Sequence, residues 1–303
     1  MPNTKTTSGT LFNPVLVTEM FSKVKGHSSL AKMAASEPIP FTGKDVFTFD
    51  LDSDISIVAE NGAKPAGDGS VSPVTIKPIK VVYQARVSDE FMKASEEKRV
   101  DILTSFSDGF AKKVAAGLDK MALHGVNPAT GAAATGTIGN NYFDYVCAST
   151  AVTYNGTTPD ANLESAIAVL ETNEYAPSGI ILAPIMRSAI GAMATDLGPR
   201  YPEFQFGGVG QLGGIPVDSN ITVGSASGSN DRALVGDFSA FKWGFAEDIT
   251  FEVIQFGNPD GGTYDLKQAN QVLLRSEAYI GWGILDANAF CLVCKDGTPI
   301  VTA

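Results

Sequence analysis

The most informative stretch of the chain is residues 45–86, which read DVFTFDLDSDISIVAENGAKPAGDGSVSPVTIKPIKVVYQAR. Apolar side chains at Phe47 and Phe49 alternate with polar ones, and this period of two predicts a β-strand. A tip rich in Gly, Pro and Asp follows at residues 61–69, and a second strand is predicted from about residue 74 to residue 86. The sequence therefore predicts a long two-stranded ribbon.

The second strand changes its apolar parity at Pro78. Val74 and Ile76 share one parity, whereas Ile79 and Val81 have the other. Because proline has no N–H group to donate, we expect a bulge at a sheet edge here. Two strands alone cannot bury both faces, so the ribbon must pack on something else, either its own domain or a neighbouring chain.

A long amphipathic helix is predicted after the ribbon, over residues 96–124. Its apolar residues step by three or four and form one stripe: Val100, Leu103, Phe106, Phe110, Val114, Leu118 and Met121. A helix of this length spans on the order of 40 Å, and Gly125 is a natural stop. The helix is therefore the longest rigid element that the sequence predicts.

The regions before the ribbon and after the long helix show weaker sequence patterns. Residues 1–36 predict an arm with short apolar clusters and an optional short helix near residues 18–24. After the long helix, the sequence predicts a helix that begins near residue 158 and then a buried strand at residues 179–182. A second helix follows, with an apolar stripe that continues to Leu197, and the chain is rich in β-strands from residue 233. This order favours an α+β or α/β layer.

Composition and charge narrow the function classes. The 303 residues include 33 acidic and 22 basic side chains, giving a net charge of −11. This charge disfavours a protein that binds nucleic-acid phosphates tightly. No apolar run is long enough for a membrane span, and the first residues do not resemble a signal peptide, so we expect a soluble, unexported chain. Three cysteines are too few for a disulfide framework, which favours synthesis in a reducing cytoplasm.

Motifs for catalysis or cofactor binding are weak. Residues 208–213, GVGQLG, match a dinucleotide fingerprint by letters but lack its strand and helix, so we expect a loop. Cys291 and Cys294 resemble half a zinc site without its second half, and in a strand their thiols would point to opposite faces as buried side chains. His124 is explained by the dipole of the long helix. We expect no catalytic, cofactor-binding or metal-binding residues, and no enzymatic activity.

Five short motifs complete the pattern, and they are residues 59–65 (AENGAKP), 87–91 (VSDEF), 212–217 (LGGIPV), 233–238 (ALVGDF) and 274–279 (LRSEAY). In this order, together with the ribbon and the long helix, the chain resembles the major capsid protein family of tailed bacteriophages. That family has the Hong Kong 97-type fold. The resemblance extends over nearly the whole chain.

The resemblance implies an α+β fold with four named parts. The implied parts are an N-terminal arm (residues 1–44), an extended β-hairpin loop (45–86), a peripheral domain with the long spine helix (87–126 and 236–287), and an axial α/β domain (127–235), to which residues 288–303 are allowed to return. Extensions such as the arm and the loop, which cannot stabilise themselves, indicate neighbouring subunits.

The resemblance also implies a function and partners. The chain would be a virion protein, assembled in the host cytoplasm, that forms pentamers and hexamers of an icosahedral head around double-stranded DNA without sequence-specific binding. Its other partners would be a separate scaffolding protein, a portal protein and an optional decoration protein; a membrane would not be among them. Two alternatives stay open: the shell of an encapsulin-like cellular compartment, and a soluble α/β enzyme with an unrecognised site.

Candidate contact residues between subunits lie on the ribbon and on the long loop at residues 198–214. They are Glu60, Lys64, Lys77, Lys80, Arg200 and Tyr201. In some relatives a loop lysine is cross-linked to an asparagine of a neighbour, and Lys64 occupies a matching position. No partner asparagine can be assigned from the sequence, so we do not expect a cross-link.

Overall fold

The fold is described from a computed structural model. The structure describes residues 27–51, 55–58, 60–64, 66, 69–90, 96–224, 230–247 and 249–299. The optional helix near residues 18–24 lies outside these residues. Within them, no helix is both long enough and apolar enough to cross a membrane.

Six α-helices are present in the described residues. They are α1 (Ser29–Met33), α2 (Glu96–His124), α3 (Thr135–Ile138), α4 (Phe143–Val146), α5 (Pro159–Thr172) and α6 (Pro184–Gly191). Short 3₁₀ turns lie at Pro202–Gly207, Ile221–Gly224, Phe238–Ala240 and Ala287–Ala289.

Fourteen β-strands are present in the same residues. They are β1 (Lys44–Leu51), β2 (Gly69–Ile76), β3 (Ile79–Ser88), β4 (Val152–Thr153), β5 (Gly179–Leu182), β6 (Ala194–Thr195), β7 (Gly198–Pro199), β8 (Gln211–Leu212), β9 (Ile215–Ser219), β10 (Asp231–Gly236), β11 (Phe241–Phe245), β12 (Thr250–Ile254), β13 (Gln271–Ile284) and β14 (Phe290–Cys294).

Two larger sheets organise these strands. The first has β13 at its centre, with β3 along one edge and β12 and β11 in succession along the other. The second has the order β4-β14-β10-β5-β9-β8, so the last strand of the chain returns to lie between β4 and β10. β1 and β2 form a separate antiparallel ribbon, paired from Lys44 with Ile76 to Leu51 with Gly69.

The predicted second strand of the ribbon is two strands, which corrects the expected bulge. β2 ends at Ile76 and pairs with β1, whereas β3 begins at Ile79 and pairs with β13. Pro78 lies in the break, and because it has no N–H group it cannot extend the first ladder. The change of apolar parity therefore marks a change of sheet.

The long helix α2 confirms its prediction from Glu96 to His124. Along its apolar stripe, Leu103, Phe110 and Leu118 are buried. Gly125 ends the helix with a φ of 63°, and a Cβ atom there would lie 2.8 Å from the Tyr142 ring. Glycine is therefore required at this position for both its backbone conformation and its small size.

The six-stranded sheet is buried on both faces. Along β14, Phe290 and Cys294 enter the core that contains α2 and the first sheet. Cys291 and Val293 enter a second core with α5 and α6. The prediction that the two thiols are buried and point to opposite faces is confirmed.

The described part of the predicted arm lies against the body of the subunit. The N–H of Glu37 donates to the Trp243 carbonyl over 2.8 Å, and the N–H of Ile39 donates to the Phe245 carbonyl over 3.1 Å. A Cβ atom on Gly244 would lie only 1.7 Å from the Glu37 carbonyl oxygen. The close approach of the arm to β11 therefore depends on this glycine.

Because of this close approach, we expect Gly244→Ala and a control substitution at an exposed glycine to change the stability in opposite directions. Gly244→Ala should destabilise the chain by about 2–4 kcal/mol, because backbone on one side must move away. Gly109→Ala is the matched control, since Gly109 lies exposed inside α2 with nothing within 4 Å of its added Cβ. It should stabilise the chain by about 0.5–1 kcal/mol. Unfolding of the two purified variants in denaturant checks this, and equal effects would contradict it.

Candidate assembly surfaces and buried junction

The tip of the ribbon carries uncovered apolar side chains. Ile55 is 102% exposed and Ile57 is 103% exposed, so no other part of the described chain covers them. Phe47 and Val71, further down the ribbon, are also exposed. Since isolated apolar side chains are common on surfaces but a contiguous exposed group is not, this tip is a candidate contact surface.

The base of the ribbon, by contrast, packs on its own subunit. Ile76 is buried, and a Cβ atom on Gly283 would lie 2.7 Å from its Cγ1 atom. A Cβ atom on Gly281 would lie 3.1 Å from the Lys77 carbonyl oxygen and 3.3 Å from Ile76 Cγ2. The base of the ribbon thus packs on its own subunit, on β13, and its tip is uncovered within the described chain. Coverage of the tip by a neighbouring chain stays a prediction.

The three lysines and the glutamate predicted on the ribbon are divided between its tip and its base. Glu60 and Lys64 are exposed at the tip, next to Asn61, which has a φ of 68°. Lys77 is exposed where β2 ends. Lys80 lies on β3 in the body sheet.

Lys80 already has partners within the subunit. Its Nζ atom lies 2.8 Å from Glu277 Oε2 and 5.8 Å from the centre of the Tyr279 ring. The hydrogen bond with Glu277 raises the pKa of Lys80. This lysine therefore joins β3 to β13.

Arg200 and Tyr201 hold the long loop to the first turn of α5. Arg200 Nη1 lies 2.7 Å from Asp160 Oδ2, and the Tyr201 hydroxyl donates to the same oxygen over 3.2 Å. Burial and the neighbouring Asp160 charge raise the pKa of Tyr201. The six predicted contact residues thus lie on three different parts of the fold, and the structure does not bring them together.

Four further exposed apolar side chains were not identified from the sequence. They are Ile185 on α6 and Leu197, Phe206 and Val209 after it, and Leu197 and Phe206 are fully exposed. The last three lie within or beside the Gly-rich stretch of the sequence.

The prediction that Leu197 continues the buried stripe of a helix is wrong, because α6 ends at Gly191. Gly191 packs closely on the following loop, since a Cβ atom there would lie 2.5 Å from the Phe204 carbonyl oxygen.

The fingerprint-like residues 208–213 are part of a small hairpin. β8 pairs with β9, and Gly213 and Gly214 between them have φ values of 59° and 90°. Positive φ at both central residues is the geometry of a tight hairpin turn. The motif therefore has neither the strand nor the helix that dinucleotide binding requires.

The Asp119 site is a buried carboxylate that anchors the described start of the chain. The Ser28 hydroxyl and the Ser29 N–H both donate to Asp119, the second over 3.1 Å. Thr222 Oγ1 donates to it over 3.0 Å, and Asn220 Nδ2 over 3.2 Å. The site thus joins the N-terminal segment, α2 and the 3₁₀ turn that contains Thr222.

The His124 site is a second buried junction one turn further along α2. His124 Nδ1 lies 2.8 Å from Asp144 Oδ2 and 3.3 Å from Asp231 Oδ2. Its Nε2 atom lies 2.9 Å from the Thr222 carbonyl oxygen. Because a carbonyl oxygen only accepts, Nε2 carries a hydrogen. All three side chains are nearly inaccessible to solvent.

The ionisation of the His124 site follows from these contacts. Burial alone would lower the pKa of His124, but the hydrogen bonds to Asp144 and Asp231 outweigh burial and raise it to about 10. Burial raises the pKa of Asp144. The helix dipole, proposed from the sequence, is therefore not the main partner of His124. The acidic partners lie 20 and 107 positions away in the sequence, which is why no local motif pointed to them.

Comparison with known families settles the class of protein. The model described as the Phage capsid family matches residues 8–294. The chain belongs to the phage capsid family. It is a structural protein of the phage capsid and associates with itself in a shell. A comparison with curated protein sequences found no match.

Solved structures agree with this family in fold. A structure from Mycobacterium phage Ogopogo is 28% identical with a TM-score of 0.74, covering 88% of this chain and 92% of that chain. One from Gordonia phage Cozz is 25% identical with a TM-score of 0.72, covering 88% and 86%. The capsid of a native GTA particle, at 15% identity and a TM-score of 0.59, covers 88% and 89% and is similar in fold. The mixed helix and sheet architecture is thus Hong Kong 97-like.

The Asp119 site predicts a pH-dependent stability of this capsid protein. Burial raises the pKa of Asp119 from 3.8 to about 6, against the opposing effect of its hydrogen bonds. Because the folded-state pKa is above the unfolded one, the stabilising contribution is complete below pH 4 and is lost as the pH rises through 6. The loss is about 3 kcal/mol.

Asp119→Asn removes this titration and should flatten the pH dependence of Tm between pH 4 and 6.5. Asp101→Asn, at an exposed position of the same helix, is the control and should leave the wild-type slope unchanged. Thermal unfolding across this pH range measures the difference. Parallel curves for Asp119→Asn and the wild type would show that the carboxylate does not titrate in this range.

Proposed function

We propose that the chain is a major capsid protein that assembles into pentamers and hexamers of an icosahedral phage head enclosing double-stranded DNA. The observation that carries the proposal is the ribbon, whose base is fixed to its own subunit while Ile55 and Ile57 at its tip remain uncovered. In the proposed shell, a neighbouring subunit covers this tip. The C5 symmetry used for the capsid of the native GTA particle is consistent with closed rings of such subunits.

The energetics of the proposed contact favour assembly by many weak contacts. Each 1,000 Å² of apolar surface that neighbours cover contributes up to about 25 kcal/mol before the costs of association. Every subunit contributes one ribbon tip and accepts another, so the contact repeats around a ring. A closed shell satisfies each of these contacts without leaving an open edge.

The proposed division of labour follows the family resemblance. The arm and the ribbon bridge subunits, the first sheet with α2 forms the peripheral domain, and the second sheet forms the axial domain. Glu60, Lys64 and Lys77 are proposed contact residues from their exposure. Lys80, Arg200 and Tyr201 are proposed to contribute through the surfaces that their internal ion pairs hold in place.

The proposed partners follow from the family rather than from any site. A separate scaffolding protein, a portal protein and an optional decoration protein complete the assembly. The net charge of −11 suits a wall that encloses DNA without adhering tightly to it.

The double variant Ile55→Ser with Ile57→Ser tests the ribbon contact. Because both side chains are fully exposed in the subunit, the variant should keep the Tm of the unassembled chain within about 1–2 °C. It should nevertheless lose most of the closed shells that the wild type forms. Electron microscopy and sedimentation of the purified chains measure shell formation.

Phe256→Ser is the matched control, because Phe256 is also exposed but lies on a loop after β12. It should assemble like the wild type. Normal shells from the double variant would contradict the ribbon contact. Wild-type shells that package a cargo enzyme instead of DNA would replace the phage head with a cellular compartment, and substrate-dependent stabilisation of monomers would favour an enzyme.

A further inference from the structure

The His124 site combines ligand types that bind zinc. It offers one imidazole nitrogen and two carboxylate groups, and their donor atoms all lie within 4.8 Å of one another. Each residue comes from a different element: His124 from the end of α2, Asp144 from α4 and Asp231 from the start of β10. No metal site was predicted from the sequence, because the two acidic residues lie 20 and 107 positions after His124 and form no short motif with it.

One carboxylate oxygen in this site lacks a hydrogen-bond partner among the residues that the structure describes. It is Oδ1 of Asp144, a residue that is 2% exposed. An unsatisfied buried carboxylate oxygen is costly, and such groups mark places where an ion or a water is needed. This observation points to a ligand independently of the composition of the cluster.

A divalent cation matches the charge of the donor set. With Nδ1 bound to the metal, a neutral imidazole and two carboxylate ligands carry a charge of −2, which a divalent cation neutralises.

The orientation of the imidazole suits a metal ligand. Its Nε2–H donates to the Thr222 carbonyl over 2.9 Å, which leaves Nδ1 directed at the two carboxylates. Metal-binding histidines usually donate their other N–H group to a carbonyl or a carboxylate in this way. The turn that contains Thr222 therefore fixes the ring orientation that coordination needs.

The donor set discriminates between divalent cations. Ca²⁺ takes six to eight oxygen ligands and Mg²⁺ retains several waters, neither of which fits a closed cluster of three side chains. Zn²⁺ accepts nitrogen and carboxylate oxygen in a four-coordinate site. Donors about 2.0–2.2 Å from zinc lie roughly 3.3–3.5 Å apart. The 3.3 Å between Nδ1 and Asp231 Oδ2 matches this separation, whereas Asp144 Oδ2, 2.8 Å from Nδ1, would have to move outward when zinc replaces the proton.

We propose that His124, Asp144 and Asp231 form a buried structural Zn²⁺ site that locks the end of the long helix to the six-stranded sheet. Binding releases the imidazole Nδ1 proton to solvent and creates one nitrogen–zinc bond and the carboxylate–zinc bonds. No electron transfer is involved. The proposal concerns the stability of the subunit and does not depend on how subunits assemble.

Metal content tests the site directly. The full chain, produced in medium supplemented with ZnCl₂, should carry about one zinc per chain after exhaustive dialysis, measured by elemental analysis and native mass spectrometry. Asp144→Asn should lower zinc retention more than tenfold. Asp119→Asn, which changes another buried carboxylate of the same region, should keep it.

Refolding with the metal alone tests the proposal where a variant does not fold. The wild-type chain refolded from denaturant with ZnCl₂ should have a Tm several degrees above that of the chain refolded with a chelator. Refolding with CoCl₂ should give visible d–d absorption bands without the near-ultraviolet band of a cobalt–thiolate bond, since Cys147, Cys291 and Cys294 are not proposed ligands.

Three outcomes would overturn the proposal. The first is a wild-type chain with less than about a tenth of an equivalent of zinc and no Tm shift, which would mean that the cluster holds an extra proton only. The second is full zinc retention by Asp144→Asn, which would place the metal elsewhere. The third is a strong thiolate band with cobalt, which would assign the metal to the cysteines.

Discussion

Pro78 separates two hydrogen-bond ladders that would otherwise be one. Up to Ile76 the chain pairs with β1 in the ribbon, and from Ile79 it pairs with β13 in the body. Since a proline cannot donate to either ladder, the strand is free to change direction and partner at this point. The base of the ribbon is thereby fixed over Gly281 and Gly283, whereas its tip extends beyond the described body of the subunit.

The two sheets serve different purposes in this arrangement. β13 is paired along both edges, with β3 on one side and β12 and β11 on the other, and the arm is hydrogen-bonded to β11. The second sheet is buried on both faces, by the core around α2 and by the core with α5 and α6.

Elements governed by local periodicity could be predicted from the sequence. The apolar stripe of α2 was sufficient to place its ends at Glu96 and His124, and alternation along β14 was sufficient to place the two cysteines on opposite faces. The end of α6 was missed because the apolar spacing continues from Met186 to Leu197, whereas the helix ends at Gly191. The strand break at Pro78 was visible as a change of parity, but its meaning required the partner strand.

The buried polar sites could not be predicted from local sequence patterns, because their partners are far away in the sequence. Asp119 bonds residues about 90 positions before it and 100 positions after it, and His124 meets Asp231 across a comparable separation. The sequence pattern of a helix does not show whether an aspartate on it is buried against distant partners or exposed to water. Only the juxtaposition of three segments gives these side chains their chemistry.

Thr222 takes part in both buried sites, with its hydroxyl on Asp119 and its carbonyl on His124. A single residue therefore connects the place where the described N-terminal segment is attached with the place where the long helix ends. The two bonds come from different atoms of Thr222, one in the side chain and one in the backbone. A substitution that removes the hydroxyl would therefore delete the contact to Asp119 and retain the carbonyl that accepts from His124.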